Sequence, residues 1–198
     1  YTPGEPFDPE YLLTTSTGLQ VGNYPYLVHD LFQSSLPKEA WGFGDEKSER
    51  ARRSWGMRTT HEIISGGPNT FGPLNKSIHR FGYGDDDVKV SNYWDDAPAF
   101  TIADDKVKGL LLSRPKDKKL LLVLQSWSKE PVKTNVKFDT QRIGFALGKH
   151  AYDGVSNQHG QLRGDTLDVV FDFPYDTKVI LLDENKPDPT ILFADDFN

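Results

Sequence analysis

Two spacings of apolar residues divide this chain. Up to about residue 98, apolar positions follow a helical period where they follow any period at all. Residues 1–23 are rich in Pro, Gly and Thr and read as loop. Tyr24 to Leu36 predicts a short helix, with Pro25 tolerated in its first turn. Asp45 to Ser65 predicts one continuous helix: Asp45 suits the N-cap, Glu46 and Glu49 suit its positive end, and Gly66-Gly67-Pro68 stops it. Ala51, Trp55, Thr59 and Glu62, with Arg58 and Ile63 one step over, would share a face that turns Trp55 inward. A second helix is expected from Pro73 to Phe81, ending at Gly82 and Gly84.

Beyond residue 98 the period changes to two. Val107 to Arg114 and Lys119 to Trp127 read as strands joined by the turn Pro115-Lys116-Asp117-Lys118. Val132, Thr134, Val136 and Phe138 alternate with Lys133, Asn135 and Lys137. Leu167, Val169, Phe171 and Phe173 alternate with Asp168, Val170 and Asp172, and Thr177 to Leu182 follows the turn Pro174-Tyr175-Asp176. Short strands separated by turn signals are the pattern of an antiparallel sandwich. The expected fold class is therefore α+β: a helical and loop segment over 1–98, then an antiparallel β-sandwich with a C-terminal tail over 99–198. Leu111, Leu121, Val123, Val136, Phe138, Val169, Phe171 and Ile180 would form its core. Ile191, Leu192, Phe193 and Phe197 would pack the tail.

Composition narrows the function classes. The chain has 198 residues, a size for one large domain or two small ones. A net charge of -6 without a basic stripe argues against nucleic acid. The longest uncharged apolar run, Leu120 to Leu124, is far too short to cross a membrane as a helix. The absence of Cys removes disulfides, thiolate metal sites and cysteine nucleophiles. Export to the periplasm or beyond is expected over a cytoplasmic site. The chain opens on Tyr1 and shows no signal-peptide pattern, so further sequence is expected upstream. Most of the Tyr and Trp residues lie in the first half, so groups that could line a site concentrate there.

The C-terminal hundred or so residues are familiar as a unit. Asn92-Tyr93-Trp94 is followed by a strand ending in Ser113-Arg114, then by Lys119-Leu-Leu-Leu-Val-Leu-Gln-Ser-Trp-Ser128. Next come Val136-Lys-Phe-Asp139, Ile143-Gly144, Ala151-Tyr152-Asp153, Leu167 to Phe171 and Val179 to Leu182. This order resembles the small antiparallel β-sandwich that closes many barrel-type glycoside hydrolases, in which a Tyr-Trp pair leads out of the barrel. The resemblance extends to the family 123 hexosaminidases and their relatives. Gln125-Ser126-Trp127-Ser128 stands where those enzymes more often carry an Asn-x-Ser-like stretch. The resemblance implies that residues 1–98 correspond to the last βα units of a (β/α)8 barrel. A barrel takes roughly 250 residues, so it also implies that this chain is the C-terminal part of a larger enzyme, a fragment or a processing product.

Glycosidases use two carboxyl groups flanking the scissile bond. Acids on offer are Asp30, Glu39, Glu62, the run Asp85-Asp86-Asp87, and Asp95-Asp96. Beside Gly and Pro such acids read equally as solvated caps. Asp95 and Asp96 follow Tyr93-Trp94, and aromatic rings beside acids suit a sugar: the ring stacks and the carboxylates take hydroxyls. Tyr24-Pro25-Tyr26 and Trp41-Gly42-Phe43-Gly44 are aromatic segments that could wall a sugar site or pin loops to the surface, and His29 stands in the pair His29-Asp30. The expected substrate-binding set is Tyr24, His29, Trp41, Trp94, Asp95 and Asp96, with the catalytic pair upstream and unidentified here. His29-Asp30 and His61-Glu62 are adjacent pairs whose helical side chains diverge, and position 65 is Ser, so no zinc motif forms. Asp85-Asp86-Asp87 could attract Ca²⁺ but lacks alternate-acid spacing and reads as a solvated turn. No metal or cofactor is expected. The expected partners are carbohydrate and the upstream part of the same protein or a sister chain. A non-catalytic carbohydrate- or protein-binding module, or a structural subunit of an extracellular assembly, is the competing reading.

Overall fold

The structure, a computed structural model, describes residues 49–62 and 72–187. The expected helix at 24–36, the loop at 1–23, the stop at 66–68 and the tail from residue 188 lie outside these residues. Among the described residues two helices come first, α1 (Glu49–Thr59) and α2 (Gly72–Phe81). Nine strands follow: β1 (Lys89–Asn92), β2 (Phe100–Ile102), β3 (Val107–Arg114), β4 (Lys119–Ser126), β5 (Val132–Phe138), β6 (His150–Asp153), β7 (Gln158–Gln161), β8 (Thr166–Phe171) and β9 (Thr177–Asp183). A single turn of helix, α3 (Thr140–Ile143), sits between β5 and β6.

All pairings are antiparallel. One sheet has the order β1-β3-β4-β9-β6-β7 and the other β2-β5-β8. The large sheet takes in β1, ahead of residue 99. Its hydrophobic faces explain the sequence pattern. In β3, β4 and β9 the apolar run is unbroken because both faces are covered. Leu111, Leu120, Leu122, Leu124, Ile180 and Leu182 face the small sheet and meet Val136, Phe138, Val169 and Phe171. Leu110, Leu112, Leu121, Val123, Val179 and Leu181 face the other way, onto Trp55 of α1 and Leu74, Ile78 and Phe81 of α2. The described residues thus form three layers: small sheet, large sheet, helices. The eight residues expected in one core are all buried, but Leu121 and Val123 belong to the helix-side core. In β5 and β8 one face meets solvent, so those strands keep strict alternation.

Two expectations are corrected. Phe173 does not continue the buried row of β8: it is 56% exposed. The strand ends at Phe171, and the chain turns through Tyr175, whose φ is +56°. The first helix is also shorter at its C-terminus than the expected 65. It ends at Thr59, and residues 60–62 form a turn in which Glu62 takes a φ of +56°. The Thr60 hydroxyl donates back to the Gly56 carbonyl at 2.9 Å. Hydroxyls that bond backwards compete with helix continuation, and the β-branched Thr59-Thr60 pair weakens it further.

Local sequence places the remaining turns. Asp139 caps α3, its carboxylate accepting from the N–H groups of Gln141 and Arg142, and Gly144 closes the turn with a φ of +87°. Val136 to Gly144 is therefore a strand, a cap and a one-turn helix. Trp55 is 3% exposed, facing inward as its helical position requires.

Helix α1 reaches the sheet through Gly56. A Cβ built there would lie 2.1 Å from Gln125 Oε1 and 2.5 Å from Thr177 Oγ1. Those atoms are not free to move. Thr177 donates to Gln125 Oε1 at 2.6 Å, and Gln125 Nε2 donates to the carbonyls of Ser126 and Tyr175.

Phe171→Ala should lower unfolding free energy in urea by about 3–5 kcal/mol. Phe173→Ala should change it by less than about 0.5 kcal/mol, and a comparable loss at both positions would contradict the placement. Gly56→Ala sets a helix-propensity gain of about 1 kcal/mol against an overpacking cost of about 1–3 kcal/mol. Overpacking should win, and Thr177→Ala in the same chain should recover part of the loss. A more stable Gly56→Ala protein would show that α1 does not sit against β9 there.

Candidate functional site

The C-terminal end of α1 and the segment after β1 converge on one cluster of rings. His61 is 1% exposed. Its Nδ1 lies 2.6 Å from the Met57 carbonyl oxygen, an atom that can only accept, so Nδ1 carries the proton. Its Nε2 lies 2.9 Å from the Tyr93 hydroxyl, so the two are hydrogen-bonded. Trp94 stacks on the same imidazole at 5.8 Å and 22°, and Trp127 meets it edge-on at 5.6 Å. Tyr93 and Trp94 themselves sit edge-to-face at 4.9 Å. Buried His61 therefore holds the Tyr93-Trp94 pair in place and is a positioning group.

Polar groups ring this cluster. Asn92 Nδ2 donates to the Glu62 carboxylate. Asn92 Oδ1 and Trp127 Nε1 are buried without a hydrogen-bond partner among the described residues. Lys108 Nζ lies 5.0 Å over the Tyr93 ring and donates to the Asp105 carbonyl at 2.6 Å. Burial pulls the Lys108 ammonium below its ordinary range, against the opposing effect of Asp105 and Asp104. Burial raises the Tyr83 phenol, with a second push from the Glu62 charge.

Of the expected binding residues, Trp94, Asp95 and Asp96 fall within the described residues; Tyr24, His29 and Trp41 do not. Trp94 is half-buried in the ring cluster and Asp96 is exposed. Asp95 closes a turn: its carboxylate accepts from the Asn92 N–H at 2.7 Å and the Ser91 hydroxyl at 3.2 Å. Ser91 in turn accepts from the Ala99 N–H. Among the other acids weighed, Asp85 and Asp87 pair with Arg114 at 2.8 and 3.2 Å, tying the turn after α2 to the β3–β4 hairpin. The Arg114 hydrogen bond holds the Asp87 carboxyl below its usual range. Among the described residues no group of His, Asp or Glu is placed to hold a metal ion. His61 and Glu62, weighed in the sequence as a diverging pair, and Asn92 stand outside the expected binding set but border this cluster. Each is half of an adjacent pair, and what joins them is the meeting of 61–62 with 92–93, with Glu62 and Asn92 30 positions apart in sequence.

No protein-family model and no curated protein matches this sequence. Among solved structures the neighbours are glycoside hydrolases, matched over the C-terminal region. A protein from Bacteroides fragilis described as an α-galactosidase/melibiase is 15% identical, with a TM-score of 0.31, over 40% of this chain and 16% of that one. A family 27 β-L-arabinopyranosidase from Geobacillus stearothermophilus, solved with arabinose, is 9% identical with a TM-score of 0.33, over 47% and 20%. A protein from Bacillus halodurans described as an α-N-acetylgalactosaminidase is 9% identical with a TM-score of 0.35, over 50% and 20%. The chain spans a fifth or less of the length of each of these structures.

Tyr83 offers a pH test. Its folded pKa is raised, so its contribution to stability is complete below the ordinary value of 10.0 and is lost as pH rises through the folded value. Phenolate absorbance of the native protein, minus that of Tyr83→Phe, should titrate above pH 10.0. Glu62→Gln should bring the midpoint part of the way back, because burial is the larger cause. A midpoint at or below the ordinary value would contradict this packing.

Proposed function

We propose that this chain is the C-terminal portion of a glycoside hydrolase related to the family 123 hexosaminidases. In this reading the sandwich over 99–198 braces a catalytic barrel, residues 1–98 supply its last βα units and sugar-binding loops, and the protein is exported. The observation that supports it most directly is the ring cluster at the Tyr93-Trp94 step. Two aromatic side chains, fixed by buried His61, stand where the chain enters the sandwich, with exposed Asp96 beside them. Rigid aromatic surface next to a carboxylate is the chemistry that holds a sugar ring. The segment order that carries the resemblance also coincides with β3, β4, β5, α3, β6, β8 and β9.

The same geometry speaks against turnover by this chain alone. Glu62, Asp85, Asp87 and Asp95 are held by Asn92, Arg114 and the 91–95 turn. Hydrolysis needs a pair of carboxyl groups about 5–10 Å apart across a bound ring, and barrel enzymes draw such groups from the ends of several strands.

The purified chain should therefore hydrolyse no aryl glycoside, while the longer parent protein does. Free monosaccharides should quench its tryptophan fluorescence with millimolar affinity, and Trp94→Ala should weaken that binding about tenfold. Turnover abolished by Asp95→Asn or Asp96→Asn would show a complete catalytic site in this chain. No response to any sugar would remove the carbohydrate reading.

A further inference from the structure

A second polar site lies away from the ring cluster, where the two sheets differ in width. The small sheet stops at β8, while the large sheet runs on through β9 and β6 to β7. A groove of about 180 Å³ remains between β8 on one side and β6, β7 and β9 on the other. Its apolar surface comes from Ala151, Leu167 and Ile180, at the margin of the inter-sheet core. Its polar surface is built around Asp153, Ser156 and Lys178.

The Lys178 ammonium is the informative group. Lys178 is 7% exposed. Its Nζ lies 3.1 Å from Asp153 Oδ2, and Asp176 stands off at 3.9 Å, beyond hydrogen-bond reach. An ammonium has three N–H donors, so one has a close acceptor among the described residues and two remain for another oxygen. Facing the groove, these N–H groups can donate to a ligand that supplies an oxygen. Asp153 cannot supply more. Its Oδ1 accepts from the N–H groups of Val155 and Val179, and its Oδ2 from the Ser156 hydroxyl and Lys178.

The same contacts decide the ligand class. A metal ion needs carboxylate oxygens with open lone pairs, and those of Asp153 are taken. An anion needs net positive charge, and the groove has none. Lys178 is matched by Asp153, Asp168 at the rim is matched by Arg163 at 2.9 Å, and Asp172 adds a further negative charge. The volume lies below the roughly 300–1,000 Å³ of pockets for drug-sized ligands. What fits is one small, neutral, hydroxyl-rich ring: its hydroxyl oxygens accept from Lys178, its hydroxyl protons go to the rim carboxylates, and its apolar face lies on Ala151 and Leu167. We propose that this groove is a binding subsite for a single neutral monosaccharide unit, separate from the Tyr93-Trp94 cluster. The loop that frames it is already set. Asp153 ties Val155 and Ser156, the Tyr152 hydroxyl donates to Asn157 at 2.8 Å, and the His159 ring packs on Tyr152 at 5.0 Å.

The test is titration of the ¹⁵N-labelled chain with D-galactose, D-glucose, N-acetyl-D-galactosamine and L-arabinose, alongside inorganic phosphate and D-glucuronate. At least one neutral sugar should shift amide signals at 153–160, 167–172 and 178, saturably, at concentrations up to about 100 mM. Lys178→Met should weaken that binding about tenfold or more. Ser156→Ala and His159→Ala alter the groove without removing the buried ion pair, and should each weaken it several-fold in a folded protein. Shifts confined to 92–96 would overturn the groove and leave the ring-cluster reading standing. Shifts confined to the groove would do the reverse. Phosphate or glucuronate binding there as tightly as the sugars would make it an anion site and overturn the proposal, as would the absence of any shift at 153–160.

Discussion

Helix α1 can lie on the large sheet only because residue 56 has no side chain. The space a methyl group would need is filled by a buried hydrogen-bonded pair, Gln125 and Thr177, from neighbouring strands. That contact fixes the height of the helix over β4 and β9. Trp55 then drops into the helix-side core, while His61, one turn and a half further along, arrives at the level of Tyr93. The ring cluster depends on a backbone approach more than on any contact of its own.

Gln125 links this constraint to the sequence. The structure gives its side-chain amide a task. It spans from the Thr177 hydroxyl to the carbonyls of Ser126 and Tyr175, knitting the start of β9 to the end of β4. Buried amides that satisfy several partners at once add specificity when complete and are costly when one partner is lost.

The strands were legible because burial imposes a period of two wherever one face stays wet. Lys133, Asn135 and Lys137 on β5 mark the solvent side without ambiguity. Where both faces are covered the pattern goes silent: Leu120 to Leu124 announces a strand, yet nothing in five apolar residues says that Leu121 and Val123 look at helices while their neighbours look at the other sheet. The end of α1 was misplaced for a different reason. The glycines at 66–67 are conspicuous stops, whereas a left-handed Glu62 has no compositional mark. The site was half legible. Tyr93, Trp94 and Asp96 were visible as a short motif, and the 61–62 pair was visible but set aside, because side chains adjacent on a helix diverge. Those two residues lie past the helix end, and their partners lie on another element. The Asp153–Lys178 pair left no trace in the sequence, since β6 and β9 become neighbours only through the sheet.

The strand order has a consequence in time. β4 is central in the large sheet, flanked by β3, its immediate predecessor, and by β9, the last strand of the described residues. During synthesis the β3–β4 hairpin can form early, but one edge of its most apolar strand stays open until some 50 further residues have emerged, as the Gln125–Thr177 pairing shows. Distant antiparallel pairing of this kind is slow and exposes unpaired apolar edges to other chains. Nascent-chain length, more than the stability of the finished sandwich, sets the interval in which β4 is open to aggregation.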